Sequence, residues 1–384
     1  DSIRILTAAI GLRVETGLLD INLDRLHARP EAEGAVDVQI RSSGQATTRR
    51  YPGDIGVSRT PDGSMKITNT VPLELYVASV VGKEYGLDDE EGTRAMAIVA
   101  RTFAVRALLE EANTGDGISS QVYHGLDGIS DASLAAANAT RGIVLTHDDR
   151  PILSVYSASN GGHSARNSDV WSGAPLPYLD ARRDRFDRAA SPYNDWLSRL
   201  SRSQVHAALS DMVGASVSGF SIESRSKDGR VKTIRVKIQD ADDAEISGSE
   251  FRRALSGRFG VSTLRSTLFD VSREGDHYVF EGSGYGHGVG LSQWGAHEMA
   301  SRGYNYEEIL RFYYTGTKTR PLTDLGFAPS ESPALAETRT EEGKPQEIRE
   351  EKVAERPRRG AAGLRGWGST AQTPAAATGR RVGW

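Results

Sequence analysis

Apolar residues recur along this chain with two different periods, and the change of period divides it. Residues 3–11 and 36–68 form short apolar or alternating runs broken at Ser43-Gly44, Pro52-Gly53 and Asp62-Gly63, which predicts brief strands joined by tight turns. From Pro72 the spacing becomes helical. Leu73, Val77, Val80 and Val81 share a face that runs as far as Glu84, with Pro72 near the start and Gly86 just past the end. A second helix is predicted over 89–112, with Met96, Ile98, Val99, Phe103, Val105 and Leu108 on its apolar side, and a small Ala-rich one over 131–141. Strands at 143–147 and 151–157 follow, then a helix at 203–213 and a hairpin over 219–239 turned by Asp228-Gly229. Strands at 268–273 and 277–281 precede helices over 290–302 and 305–314, separated by Gly303. The expected fold class is α+β, with mixed helices and short antiparallel strands around a groove. Three stretches are expected: a β-rich N-terminal region (1–70), a central region (71–327) and a tail (328–384). The tail is rich in Pro, Ala, Gly, Glu and Arg with few large apolar groups, so disorder is predicted there: too little surface can be buried to offset the entropy of ordering.

Composition narrows function more than fold. With 47 Lys and Arg against 51 Asp and Glu, a net charge of -4 offers no general attraction to nucleic acid, and none is expected as a partner. The chain has no cysteine, which excludes disulfides, cysteine-based metal sites and thiol nucleophiles. No stretch approaches the ~18 apolar residues of a membrane helix, so no transmembrane segment is expected. The sequence opens at Asp1 rather than methionine, without a basic stretch leading into an apolar one. The expectation is a leader already removed or a trimmed sequence.

One segment stands out chemically. Glycine occupies every second position from Gly282 to Gly290, with Tyr285 and His287 between, and Gln293 and Trp294 just after. Glycine costs roughly 0.5–1 kcal/mol relative to alanine in regular structure, so such a run requires sharp bends or a close approach by another group. The spacing argues against a phosphate cradle, since neither G-x-G-x-x-G nor G-x-x-x-x-G-K-[ST] fits it. Two readings stay open at this level: a turn closing a hairpin with Tyr285 and Trp294 in the core, or one wall of a sugar groove.

Three segments, in order, resemble the SpoIID/LytB family of bacterial sporulation and cell-wall proteins. The first runs from Val71-Pro72-Leu73-Glu74-Leu75-Tyr76 to Lys83-Glu84 and on to Ala100-Arg101-Thr102-Phe103. The second holds Gly142-Ile143-Val144-Leu145-Thr146, Tyr156-Ser157-Ala158-Ser159-Asn160-Gly161-Gly162, Val170-Trp171 and Pro177-Tyr178-Leu179. The third is Gly286-His287-Gly288-Val289-Gly290-Leu291-Ser292-Gln293-Trp294-Gly295-Ala296, with Tyr313-Tyr314-Thr315-Gly316 behind it. The resemblance spans residues 71–316 and leaves the tail out.

What it implies is peptidoglycan as substrate and, for the family's enzymatic branch, lytic transglycosylase activity on peptide-free glycan, with Glu84 as the catalytic acid. It also implies an extracytoplasmic envelope location and a cell-wall amidase as a partner. A noncatalytic glycan-binding or amidase-enhancing role is the alternative. One carboxyl can act in turn as acid and base, so no second carboxylate is required; were this a two-carboxylate hydrolase, Asp88, Asp89, Glu90 and Glu91 would come first. Substrate contacts are expected from Arg101, Gln121, Tyr123, His124, Tyr156, Ser157, Ser159, Asn160, Tyr285, His287 and Gln293; a structural ion pair is the other reading of Arg101. Some relatives bind zinc through a set that includes cysteine. This chain has none, and His124, His163 and His287 lack metal-ligand spacing, so no metal and no cofactor is expected.

Overall fold

The computed structural model describes residues 4–7, 12–15, 20–30, 34–42, 45–110, 115 and 120–327. The tail over 328–384, the Ser43-Gly44 turn, residues 8–11 of the first expected strand and residues 111–112 of the second expected helix lie outside the described residues. The architecture is α+β with a β-rich start. Arg25–Ala28, Asp54–Arg59 and Met65–Thr70 form an antiparallel sheet with Asp54–Arg59 central, and Ala35–Ser42 pairs with Gln45–Pro52.

Helices α1 (Leu73–Glu84) and α2 (Glu90–Leu109) follow. Pro72 precedes α1, and Asp89 caps α2 by accepting the Gly92 N–H at 2.6 Å. Val77, Ala78, Val80 and Val81 of α1, and every residue from Ala95 to Ala100 of α2, are completely shielded. Helices apolar on so many sides belong in an interior rather than on a surface. Leu12, Val14, Tyr51, Ile55 and Val57 of the β-rich region enter the same core, so strands and helices close over one apolar interior. Helix α3 (Asp131–Ala139) is set by a Ser130–Ser133 capping box. Strand Ile143–His147 pairs with Lys318–Pro321, which returns the chain to this core.

After the short helices α4 (Asn167–Val170) and α5 (Arg185–Ala190), a second core forms from Val205, Leu209, Ile234, Phe251, Leu255 and Phe280. It lies among α6 (Arg202–Val213), α7 (Gly248–Phe259) and two three-stranded antiparallel sheets. Helix α7 lies outside the expected elements, although Phe251 and Leu255 stand four residues apart and Ser247 with Glu250 makes a capping box at its start.

Two expectations need correction. The strand expected over 151–157 is reduced to Arg150–Pro151 and Tyr156–Ser157. The helix expected from Gly290 begins three residues later, as α8 (Gln293–Ser301), followed by α9 (Tyr306–Tyr313). Gly290 has φ +73°, outside the helical region, and Leu291–Ser292 is a strand parallel to Tyr156–Ser157. Ser292 then caps α8 by accepting the Gly295 N–H at 3.1 Å.

Candidate active site

The glycine run lies against the protein's own backbone. Gly284, Gly286, Gly288 and Gly290 all have positive φ. A Cβ at Gly290 would overlap the Val155 carbonyl oxygen, and one at Gly286 would press on the Ser157 side chain. Ser159 and Tyr285 exchange backbone hydrogen bonds at 2.8 and 3.1 Å. The close approach foreseen from the glycines is made by segment 155–161 at Gly284, Gly286 and Gly290, by the Arg230 guanidinium at Gly288, and by Trp196 and Leu268 at Gly282. Left-handed backbone at alternate residues lets the run follow that segment at contact distance, and this fixes where Tyr156 stands.

Glu84 is the last residue of α1 and is half-buried. Its Oε1 accepts the Val122 N–H at 2.8 Å. Burial raises its pKa above the ordinary glutamate value, opposed by the Val122 N–H and by the Tyr156 hydroxyl. Lying at a helix C-terminus acts in the same direction as burial, since the dipole disfavours negative charge there. Tyr156 is half-buried as a residue but its hydroxyl oxygen is enclosed, and it makes no hydrogen bond of ordinary geometry. Burial and the nearby Glu84 carboxylate hold that hydroxyl's pKa well up, so it stays protonated. Gln121 is fully buried; its Oε1 accepts from the Tyr76 hydroxyl at 2.9 Å while Nε2 is unpartnered. The Ser157 hydroxyl is a third buried polar group with no partner. Unsatisfied buried donors are uncommon in folded proteins, and of those present here the Tyr156 hydroxyl acts directly on the Glu84 carboxyl, with the Gln121 amide beside that hydroxyl.

The acids after Glu84 are engaged elsewhere. Asp89 accepts from Tyr85 at 2.7 Å and pairs with His297 at 2.7 Å, while Glu90 and Glu91 hold Arg94. Asp88 is exposed. None of the four acts on the Glu84 carboxyl.

The other expected contacts separate into groups. Arg101 is wholly buried and gripped by Glu74, Nη2 to Oε2 at 2.5 Å, with further bonds to the carbonyls of Ala137 and Ile143; it is the structural ion pair of the two readings. Tyr123 turns toward the N-terminal sheet, donating to Asn69 at 2.5 Å and packing on Tyr76. His124 is half-buried and its N–H meets Ser79 Oγ at 3.3 Å. Ser159 and Asn160 are fully buried and anchored to Asp187 and Asp184 at 3.0 and 2.7 Å. His287 accepts the Val289 N–H on Nδ1 at 3.0 Å and faces the Tyr156 carbonyl and the Trp171 ring. Tyr285 is half-buried beside Tyr193, and Gln293, half-buried, opens α8. The residues brought together with Glu84 are thus Tyr156 and, through it, Gln121, while Ser157 turns its side chain to Gly286.

Among the described residues no group of three metal-ligating side chains converges, and the His287 Nδ1 lone pair is already taken. A wide cavity of about 1170 Å³ lies elsewhere, lined by Arg183, Arg188, Phe186, Tyr304 and Phe312. It contains neither Glu84 nor Tyr156.

Residues 61–147, which carry α1, α2 and Glu84, match the Stage II sporulation protein family, SpoIID. Residues 184–290, spanning the second core and the glycine run, match a domain of unknown function, DUF8618. An uncharacterized protein of Brachyspira hyodysenteriae is 30% identical over 267 residues, covering 66% of this chain and 68% of that protein. Stage II sporulation protein D of Bacillus subtilis is 28% identical over 308 residues, 74% of this chain and 84% of the relative. The amidase enhancer of Bacillus subtilis is 28% identical over 273 residues, 59% of this chain; the match spans 37% of that longer protein.

Proposed function

We infer that this chain, which belongs to the SpoIID family, is an extracytoplasmic peptidoglycan lytic transglycosylase with Glu84 as its single acid and base. The observation that carries the reading is the Glu84 carboxyl itself. It is half-buried, raised in pKa and held by one backbone N–H; the Tyr156 hydroxyl acts on it, and the Gln121 amide stands beside that hydroxyl.

The chemistry follows from those groups. Protonated Glu84 gives its proton to the glycosidic oxygen between N-acetylmuramic acid and N-acetylglucosamine, and that C–O bond breaks. The carboxylate so formed, steadied by the Val122 N–H, takes the proton of the muramic C6 hydroxyl as that oxygen attacks C1. The product ends in a 1,6-anhydro sugar, Glu84 is protonated again, and no water is consumed. A raised pKa suits a group that must hold a proton near neutral pH and release it. The Tyr156 hydroxyl and Gln121 Nε2 are the donors available to sugar oxygens. Removal of stem peptides by an amidase would supply the substrate, which makes such an enzyme a partner in reaction order.

A noncatalytic role is favoured by one specific observation, the similarity to a protein named for enhancing an amidase. Mass analysis of products from peptide-free glycan separates the two. Anhydro ends from wild type, absent with Glu84→Gln, support the lyase; reducing ends mean hydrolysis; no release by wild type means a binding module.

A further inference from the structure

Two arginines from the second core meet the glycine run beside Tyr285. The Arg265 carbonyl accepts the Gly286 N–H at 2.9 Å, and its guanidinium lies over the Tyr193 ring, 5.5 Å from the centroid. Tyr193 stands edge-on to Tyr285 at 5.0 Å. Arg252, on α7, donates its Nε–H to the carbonyl of Leu264 at 2.9 Å, the residue just before Arg265. Neither guanidinium has an acidic partner among the described residues. By contrast the neighbouring Arg230 is held by Asp228 at 2.8 Å.

An unmatched cation is costly in this position. Arg252 is half-buried, and burial together with the nearby Arg230 lowers its pKa from the usual arginine value, although an arginine stays charged. Desolvated charge without a counter-charge is unfavourable, so the missing complement is an anion. A relay of contacts links the site to the acid. His287, two residues after Tyr285, faces the Tyr156 carbonyl, and the Tyr156 hydroxyl acts on Glu84.

We propose that Arg252 and Arg265 form a carboxylate subsite for the lactyl group of a peptide-free muramic acid, with Tyr193 and Tyr285 against the sugar. This rests on the glycan reading of the Glu84 site and deepens it. A strand stripped of peptide carries one free lactyl carboxylate on each muramic acid, whereas a peptide-bearing strand carries an uncharged amide there. Planar guanidinium groups match a carboxylate in geometry as well as charge. Selection of peptide-free strands is then built into the wall of the groove.

The test is equilibrium binding of the full chain carrying Glu84→Gln to peptide-free glycan strands, and to the same strands with lactyl carboxylates converted to methylamides. The carboxylate form should bind about 10-fold or more tightly, the range of a charge-assisted hydrogen bond. Arg252→Gln and Arg265→Gln should each erode that preference, weakening binding of the carboxylate strand more than that of the methylamide strand, and Arg252→Lys should restore part of it. Thermal midpoints identify any variant that fails to fold, in which case the other arginine decides. Equal binding of the two strands, or a preference that survives both Gln variants, overturns the subsite and leaves the glycan reading standing. Binding of neither strand overturns both. A charge preference without anhydro products from wild type overturns the catalytic reading alone.

Discussion

His287 and Tyr156 are joined through the main chain. The Val289 N–H reaches His287 Nδ1 at 3.0 Å, so the neutral ring carries its proton on Nε2, the nitrogen left to meet the Tyr156 carbonyl. One imidazole thus ties the glycine run to the residue whose hydroxyl acts on Glu84. Its task is to hold the wall.

That arrangement has a pH signature. Burial, with the charges of Arg230 and Arg252, pushes the His287 pKa down to about 3 from an ordinary 6.5. The unfolded chain binds a proton there that the folded chain refuses. The contribution to stability is full above pH 6.5 and declines as pH falls toward 3. His287→Gln should flatten this part of the curve, and denaturant midpoints from pH 7 to 4 for both proteins check it. Parallel curves would refute the assignment.

Glu84 has the opposite sign. Its raised pKa means the folded state prefers the protonated form, so its favourable contribution is complete below the unfolded value of 4.5 and is lost as pH rises through the folded one. Glu84→Gln should melt above wild type at pH 8 and level with it near pH 4. Release of anhydro product should fall by about 10²- to 10⁴-fold, the usual reach of a general acid.

Tyr156→Phe removes a hydroxyl that has no ordinary hydrogen bond to lose. Stability should change by no more than about 0.5 kcal/mol, because no partner is left unsatisfied. The same hydroxyl favours the carboxylate form of Glu84. Its removal should therefore move the alkaline limb of the kcat/KM profile to higher pH, and a limb that stays still or falls would disconnect the two residues.

Gly290 and Gly303 both have positive φ, at +73° and +86°, but only Gly290 faces an obstacle, the Val155 carbonyl. Gly303→Ala should cost about 1–2 kcal/mol, the conformational penalty alone. Gly290→Ala should cost about 3 kcal/mol or more and disturb the Tyr156 segment. Equilibrium denaturation of the pair measures the contact, and equal losses would mean it is loose.

Arg101→Met strands the buried Glu74 carboxylate and should cost about 3–5 kcal/mol, much of it recovered by adding Glu74→Leu. A direct glycan contact at Arg101 would instead weaken binding with stability intact. Chemical denaturation and glycan titration of the three proteins distinguish the outcomes.

Local pattern carried much of this protein. The 3.6-residue spacing from Leu73 and the flanking Pro72 and Gly86 were enough to place α1 and to put Glu84 in its last turn, where the helix ends. Alternation and turn dipeptides located the Asp228-Gly229 hairpin, which closes between Val217–Arg225 and Val231–Ile238. Local pattern also misled. The apolar run at 151–157 reads as one strand, but only its ends pair as strand, because strand pairing is decided by what lies alongside.

By itself, then, the sequence determined the order and kind of the elements, the glycine period and the carboxyl at the end of α1, since each depends on residues within a few positions of one another. Tertiary structure alone decided what each group meets. The glycines required a close approach, but that segment 155–161 makes it at Gly284, Gly286 and Gly290 depends on contacts more than a hundred residues apart. Arg101 was an unexpected charge in an apolar stretch, and only packing shows Glu74 closing on it from 27 positions away. Arg252 lies on α7, and only the fold shows that no acid among the described residues stands beside its guanidinium. Pairing and desolvation are properties of a folded neighbourhood, and no window along the chain contains them.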